Sequence, residues 1–209
     1  MNIVEFFEFS AGQWHSSRIT HHLAFKASEM GDSDIQVDYL AADHPAITER
    51  CNFHQIDPNL AVGGSHVRWR GKMQWDRESD SDHEGETIFA IVPDADDLSQ
   101  GRMLRDRGYA EIMPVVGLYH MDEQGGLVLT TEYESMSVIE RIWFTSPNLR
   151  LRTSVVKLYG GFSTAALCTE MRLEDASESK LQINSGLEIS ALQSEAAPPA
   201  SSFHSMLGW

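Results

Sequence analysis

The chain has 209 residues, with 31 acidic and 16 basic side chains and a formal net charge of -15 at pH 7. This length is enough for one domain with its own core, and the acidic balance argues against nucleic acid or an anionic membrane as a general partner. The amino-terminal residues lack a basic segment before a long apolar one, and no later segment approaches the ~18 apolar residues of a membrane span. We therefore expect a soluble, cytoplasmic protein.

The sequence pattern in the first quarter of the chain predicts two short helices and two strands. The first helix has an apolar stripe formed by Ile3, Phe6 and Phe7. In chain order, the predicted elements are a helix capped by Asn2 that ends near Ser10, a strand from Trp14 to Leu23, a strand in which Ile35, Val37 and Tyr39 alternate, and a helix opened by Asp43 and Pro45 that ends near Phe53.

Short strands separated by turns follow at regular spacing. They are predicted over 61–70, 72–78, 86–92, 102–106, 112–121, 127–134, 137–144, 150–158 and 162–173. Such spacing is typical of an all-β antiparallel barrel or sandwich. The Gly12-x-Trp14 pattern after a short helix resembles the lipocalin plan, in which the Trp fills one end of a closed barrel. Closure also removes exposed strand edges and can enclose a ligand cavity.

The composition changes near the carboxyl end. Beyond Asp175 the chain is rich in Ala, Ser, Glu, Gln and Pro. Such a segment buries too little apolar surface to offset its ordering entropy. We expect a β-barrel domain over 1–175 and a disordered acidic tail over 176–209.

The hairpin over 137–158 carries the most informative side chains. Ser146-Pro-Asn148 marks its turn, and strand pleating places Arg150, Arg152 and Ser154 on one face. Glu140 joins that face only if the connection has odd length, usually with a bulge; an even connection sends it to the opposite face. Paired Arg forks suit bidentate binding of carboxylates, so the hairpin could hold a large anionic ligand.

The same alternation has a second interpretation. If Leu149, Leu151 and Val155 face the core, the arginines form a solvated outer face. Arg18 shares a strand face with polar neighbours, which indicates either an outer face or a wet cavity. Met73 and Trp75 share a face that could pack in a core or contact a ligand.

Metal and nucleophile patterns are absent from the sequence. Cys51 and Cys168 are too few and too far apart for a disulfide framework or a zinc-ligand pattern. The adjacent His21 and His22 would point in opposite directions on a strand. We expect no metal, and the spacings of catalytic triads and phosphate loops are missing too.

Several stretches, in order, resemble the S-type phycobiliprotein lyases, also called CpcS/CpeS-like chromophore lyases. They are Phe6-Phe7, Ser10-Ala-Gly-Gln-Trp14, Ser17-Arg-Ile-Thr-His-His-Leu-Ala-Phe25, Gly71-Lys-Met-Gln-Trp-Asp76, Thr131-Glu-Tyr-Glu134, Glu140-Arg-Ile-Trp-Phe144, Pro147-Asn-Leu-Arg-Leu-Arg152 and Gly160-Gly-Phe162. The resemblance covers about 1–173 and leaves out the acidic tail.

The resemblance implies a ten-stranded barrel of the fatty-acid-binding-protein type that binds a linear tetrapyrrole, a bilin, non-covalently. The pigment, phycoerythrobilin or phycocyanobilin, would be transferred to a cysteine of an apo-phycobiliprotein α or β subunit as a thioether, with no further cofactor. By motif position, the implied catalytic residues are Glu140, Arg18 and Arg150. The implied pigment contacts are Met73, Trp75, Arg152 and Ser154, with His21 and Trp143 as secondary candidates.

Two other functions share this barrel. A non-catalytic carrier would bind the bilin without transferring it. A supporting subunit would act only in a heterodimer with a related lyase, and a homodimer is a further possibility. Formation of an acid-stable coloured adduct distinguishes a lyase from a carrier, and activity that appears only after mixing with a partner identifies a supporting subunit.

Overall fold

The chain folds into one closed antiparallel β-barrel of ten strands in a computed structural model. The structure describes residues 1–74, 76, 83–95, 97–105, 115–161 and 163–173. Every strand pairs with its neighbours in sequence, and β1 pairs with β10 to close the barrel. The all-β, lipocalin-like prediction is confirmed. The predicted tail over 176–209 lies outside the described residues, as does Trp75.

Two helices, one 3-10 turn and ten strands make up this fold. They are α1 (Ile3–Ser10), β1 (Gly12–His22), β2 (Ala27–Leu40), α2 (Pro45–Phe53), the 3-10 turn (Pro58–Leu60), β3 (Gly63–Met73), β4 (His83–Asp94), β5 (Asp97–Arg105), β6 (Val115–Met121), β7 (Leu127–Glu132), β8 (Met136–Ser146), β9 (Leu149–Leu158) and β10 (Ser163–Arg172).

The separate strands predicted over 61–70 and 72–78 are one strand, β3, as far as Met73. Gly71 does not interrupt it, because the residue lies opposite Ser33 of β2 and a β-carbon there would meet the Asp32 carbonyl oxygen at 2.3 Å. The glycine allows close strand approach and marks no turn.

Helix α1 closes one end of the barrel. Asn2 caps it as predicted, with Glu5 completing a capping box. Phe6 and Phe7 are buried in the main core, and the Trp14 indole N–H donates to the Ser10 carbonyl at 2.9 Å. This end is therefore filled largely by apolar side chains.

Helix α2 lies outside the barrel. Its Ile47 and Cys51 form a second cluster with Ala90, Val92 and Leu104, which face outward from β4 and β5. His44 caps it, one residue after the predicted Asp43, by accepting from the Ala46 N–H. Among the described residues, no helix has the length and apolar character needed to cross a membrane.

Candidate functional site

The β8–β9 hairpin sends its charged side chains into the barrel. Arg150 and Arg152 are each 2% exposed and Glu140 is fully buried, whereas Val155, of opposite parity, is 47% exposed. A register shift between Phe144 and Ser146 gives the hairpin the odd connection that places Glu140 beside the arginines. The outer-face interpretation of the arginines is wrong, and the parity left open by the sequence is resolved.

A buried carboxylate on the neighbouring strand accepts hydrogen bonds from both arginines. Glu170 of β10 is fully buried and accepts from Arg150 Nε at 2.5 Å and from Arg152 Nε at 3.1 Å. Arg152 Nη1 also lies 3.6 Å from a Glu140 carboxylate oxygen. Four buried charged groups therefore form one ionic cluster, which we call the interior cluster: Glu140, Arg150, Arg152 and Glu170.

Electrostatics keep Glu170 ionised. Burial alone would raise the pKa of this carboxyl, but the guanidinium groups of Arg150 and Arg152 outweigh burial and hold the pKa below its usual value. Arg150 also lies over the Trp14 ring, with its guanidinium carbon 4.5 Å from the ring centre. Arg150 is thus packed at the end of the barrel that α1 closes.

Arg18 lies nearer the open part of the interior. Its guanidinium donates to the Met73 sulfur at 3.1 Å, and it lines a small cavity of about 40 Å³ together with Arg152. The cavity is lined by residues from β1, β2 and β3, among them Ser16, Gly31, Ser33, Trp69, Gly71 and Met73. Arg18 and Met73, which are 55 residues apart in sequence, therefore belong to one site.

A thiol lies between the arginines. Cys168 is opposite Arg18 on one side and opposite Arg152 on the other, and it is 2% exposed. Burial raises its pKa, and the nearby Arg152 only partly opposes this. Because the thiolate is the nucleophilic form, the raised pKa disfavours nucleophilic reaction of Cys168.

The other predicted contacts fall in different places. Ser154 points inward, opposite Glu140. His21 is exposed on the outer face of β1, and Trp143 lies on the outer face of β8 beneath the Arg141 guanidinium, 4.4 Å away. Strand parity therefore keeps His21 and Trp143 out of the interior cluster.

Sequence reasoning missed Glu170. The available signal was Cys168-Thr-Glu170, a thiol and a carboxylate two apart on a strand that neighbours the arginine strand. A glutamate with no charged neighbour in the sequence is usually exposed to solvent. The pairing of Glu170 with Arg150 can therefore be recognised only once β9 and β10 are placed in register.

The sequence matches the family described as CpeS-like protein over residues 2–173. It is 58% identical over 170 residues to the phycocyanobilin lyase subunit CpcS of Picosynechococcus sp., covering 81% of this chain and 85% of that protein. It is 58% identical over 176 residues to chromophore lyase CpcS/CpeS 2 of Trichodesmium erythraeum, covering 84% and 89% of the two chains.

The fold is similar to that of a solved relative. The S-type phycobiliprotein lyase CPES from Guillardia theta superposes with a TM-score of 0.73 at 34% sequence identity, covering 84% of this chain and 94% of that one. The family match includes all ten strands and therefore the whole interior cluster. The chain belongs to the CpeS-like family of chromophore lyases.

Proposed function

We propose that this lyase binds a linear tetrapyrrole bilin non-covalently and transfers it to a cysteine of an apo-phycobiliprotein subunit, forming a thioether. The observation that carries the proposal is the placement of three arginines and two glutamates inside the barrel, next to a small cavity that Arg18 and Arg152 help to line. A bilin offers two propionates for guanidinium groups and pyrrole N–H groups for a carboxylate.

The charge balance of the site supports an anionic ligand. Among the described residues of the site, there are three guanidinium groups (Arg18, Arg150 and Arg152) and two carboxylates (Glu140 and Glu170), so one positive charge is in excess. An interior of low dielectric strengthens the attraction of such an excess for a carboxylate. A propionate is the part of a bilin that fits this charge.

The cavity size suggests how the pigment would lie. About 40 Å³ between Arg18, Arg152 and Met73 is far below the roughly 300–1,000 Å³ of a typical ligand pocket. In our proposal this cavity takes one propionate, and the rings extend toward the open end of the barrel. Met73, Trp75 and Ser154 are the expected ring contacts.

Glu140 is the proposed activating group. A buried carboxylate beside the pyrrole nitrogens would keep the conjugated system protonated and make its ethylidene carbon a better electrophile. The acceptor subunit supplies the thiol, so the lyase needs no covalent intermediate and no further cofactor. The name of the Picosynechococcus relative makes phycocyanobilin the first pigment to test, with phycoerythrobilin as the second.

Reconstitution tests the proposal. Purified protein, phycocyanobilin or phycoerythrobilin, and each apo-α or apo-β subunit are mixed, and the acid-stable pigment on the subunit is measured against the same mixture without lyase. We expect faster addition, at one cysteine identified by peptide mapping. A pigment that binds the barrel but is not transferred to any subunit would instead identify a carrier.

A heteromeric lyase is the second candidate. One relative with 58% identity is itself called a lyase subunit, which favours this alternative. Mixing the protein with a second family member would then produce transfer that neither protein supports alone. Light scattering of the separate and mixed proteins would show whether a homodimer or a heterodimer forms.

A further inference from the structure

A histidine–glutamate pair lies inside the barrel, away from the interior cluster. His22 Nε2 is 2.9 Å from Glu29 Oε2, and the two side chains are only 12% and 15% exposed. Both residues have the inward parity of their strands: His22 follows Trp14, Ser16 and Arg18 along β1, and Glu29 lies opposite Thr20. Neither residue belongs to the cavity or to the interior cluster.

The position of the pair is set by strand β1. His22 is its last residue, at the end of the barrel opposite α1. It lies four residue steps beyond Arg18, about 13 Å along the extended strand. A bilin whose propionate lies near Arg18 and Arg152 would therefore extend a terminal ring toward His22, where an acceptor could approach from outside.

We propose that His22, held by Glu29, is the general base that takes the proton from the acceptor thiol. This inference rests on the proposed function and adds a catalytic residue to it. A free thiol ionises near pH 8.5, so an adjacent base is needed to form thiolate at neutral pH. Glu29 would orient the imidazole, as a carboxylate does beside other histidine bases.

The proposed step is an addition with no leaving group. The acceptor sulfur forms a bond to the exocyclic ethylidene carbon while the ethylidene C=C π bond breaks. The released electron pair takes up a proton at the ring carbon that shared the double bond. His22 receives the thiol proton and can return it there, so S–H is added across the double bond without an external oxidant or reductant.

The protein offers a matched pair for comparison. On the outer face of the same strand, His15 Nδ1 lies 2.8 Å from Asp34, but these side chains are 46% and 72% exposed. His15→Gln therefore removes the same kind of contact without touching the interior. Among the residues that the structure describes, the polar groups facing His22 are Glu29 from β2 and the uncharged Thr164 from β10, so Glu29 is its charged partner there.

The experiment compares His22→Gln, Glu29→Gln and His15→Gln with the wild-type protein, loaded with phycocyanobilin and mixed with the accepting subunit. We expect His22→Gln to bind the pigment normally but to transfer it roughly 100-fold more slowly or worse. Glu29→Gln should lose less, and His15→Gln nothing. Because hydroxide can replace a missing base, the His22→Gln deficit should shrink as the pH rises past about 8.5.

Transfer by folded His22→Gln at the wild-type rate would overturn the inference and leave the proposed function intact. A deficit that is the same at every pH, or that follows weaker pigment binding, would also overturn it, because His22 would then be only a structural or pigment contact. No transfer by the wild-type protein with any subunit would instead overturn the proposed function. Circular dichroism and pigment titration separate misfolding from slow chemistry.

Discussion

Glu170 holds the interior cluster together through two hydrogen bonds to buried arginines. Removing one partner of a buried ionic cluster leaves uncompensated charge in a medium that solvates it poorly. We expect Glu170→Gln to lower the free energy of unfolding by about 3–5 kcal/mol in denaturant titrations. Asp38→Asn is the control, since its bond to Arg68 is half-exposed and should contribute at most ~1 kcal/mol. Equal losses in the two variants would contradict this account.

The lowered pKa of Glu170 predicts a pH dependence of stability. A carboxyl whose pKa is lower in the folded protein contributes stability above its unfolded pKa, about 4.3, and loses that contribution as the pH falls through the folded value. Wild-type stability should therefore decline more steeply than that of Glu170→Gln below about pH 4.3. Parallel pH curves from thermal unfolding would show that Glu170 is not the group responsible.

Substitutions of two arginines distinguish an effect on pigment binding from an effect on folding stability. Arg18→Ala and Arg150→Ala should each weaken bilin binding by roughly 1–3 kcal/mol through loss of a charge-assisted partner. Only Arg150→Ala should also lower stability, because that side chain packs against Trp14 and Glu170. Absorbance titrations and denaturant unfolding measure the two effects. A double variant no weaker than either single variant would place both arginines on one propionate.

The Glu140→Gln variant tests the activation of the pigment separately from the binding of the pigment. The change keeps the shape and a hydrogen-bonding group but removes the negative charge that favours a protonated pigment. We expect the variant to retain the bilin, with a weaker and blue-shifted long-wavelength band and slow transfer to the subunit. Absorbance spectra and adduct formation are the measurements. An unchanged spectrum with an unchanged rate would exclude Glu140 as the proton-holding group.

At the level of elements, the sequence predicts which residues of one strand share a face better than it predicts which strands face each other. The alternation of Arg150, Arg152 and Ser154 is a local property and is correct. The position of Glu140 depends on one extra residue in the turn, and a bulge leaves no definite sequence signal. Glu170 needs the pairing of β9 with β10, which no local pattern specifies.

The same distinction applies to β1 and β3. His21 and His22 are neighbours in sequence, and only the fixed parity from Trp14 shows that His22 is the inward one. Gly71 falls between the strands predicted over 61–70 and 72–78, yet in the structure it lies within β3 and allows a close approach of two strands. Tertiary contacts thus decide these positions where composition cannot.

Helix α1 should be a large source of barrel stability. Phe6 is 1% exposed and packs in the main core, whereas Phe9 on the same helix is 37% exposed. We expect Phe6→Ala to cost about 3–5 kcal/mol of unfolding free energy, with a clearly smaller loss for Phe9→Ala. Denaturant midpoints of the two variants give the comparison. Similar losses would mean that the contact of Phe9 with Phe144 contributes as much to stability as the burial of Phe6.

At the level of the whole molecule, the family match ends at residue 173, before the acidic tail. We expect removal of 176–209 to leave folding, bilin binding and transfer largely intact, because the tail has little apolar surface to bury. Thermal unfolding and reconstitution of the truncated chain test this. A clearly lower melting temperature, or altered choice among acceptor subunits, would show that Phe203, Leu207 and Trp209 dock on the barrel or on its partner.

The buried thiol of Cys168 has a consequence for delivery. On the proposed function, an electrophilic pigment resides beside a cysteine of its own carrier, opposite Arg18 and Arg152. Burial raises the pKa of that thiol and so suppresses the thiolate that would capture the pigment. A covalent bond between the pigment and Cys168 would inactivate the lyase after it had bound one pigment molecule. On the same proposal, a Cys168 thiol that stays protonated would leave the pigment free to be released, and one lyase molecule could then deliver pigment repeatedly.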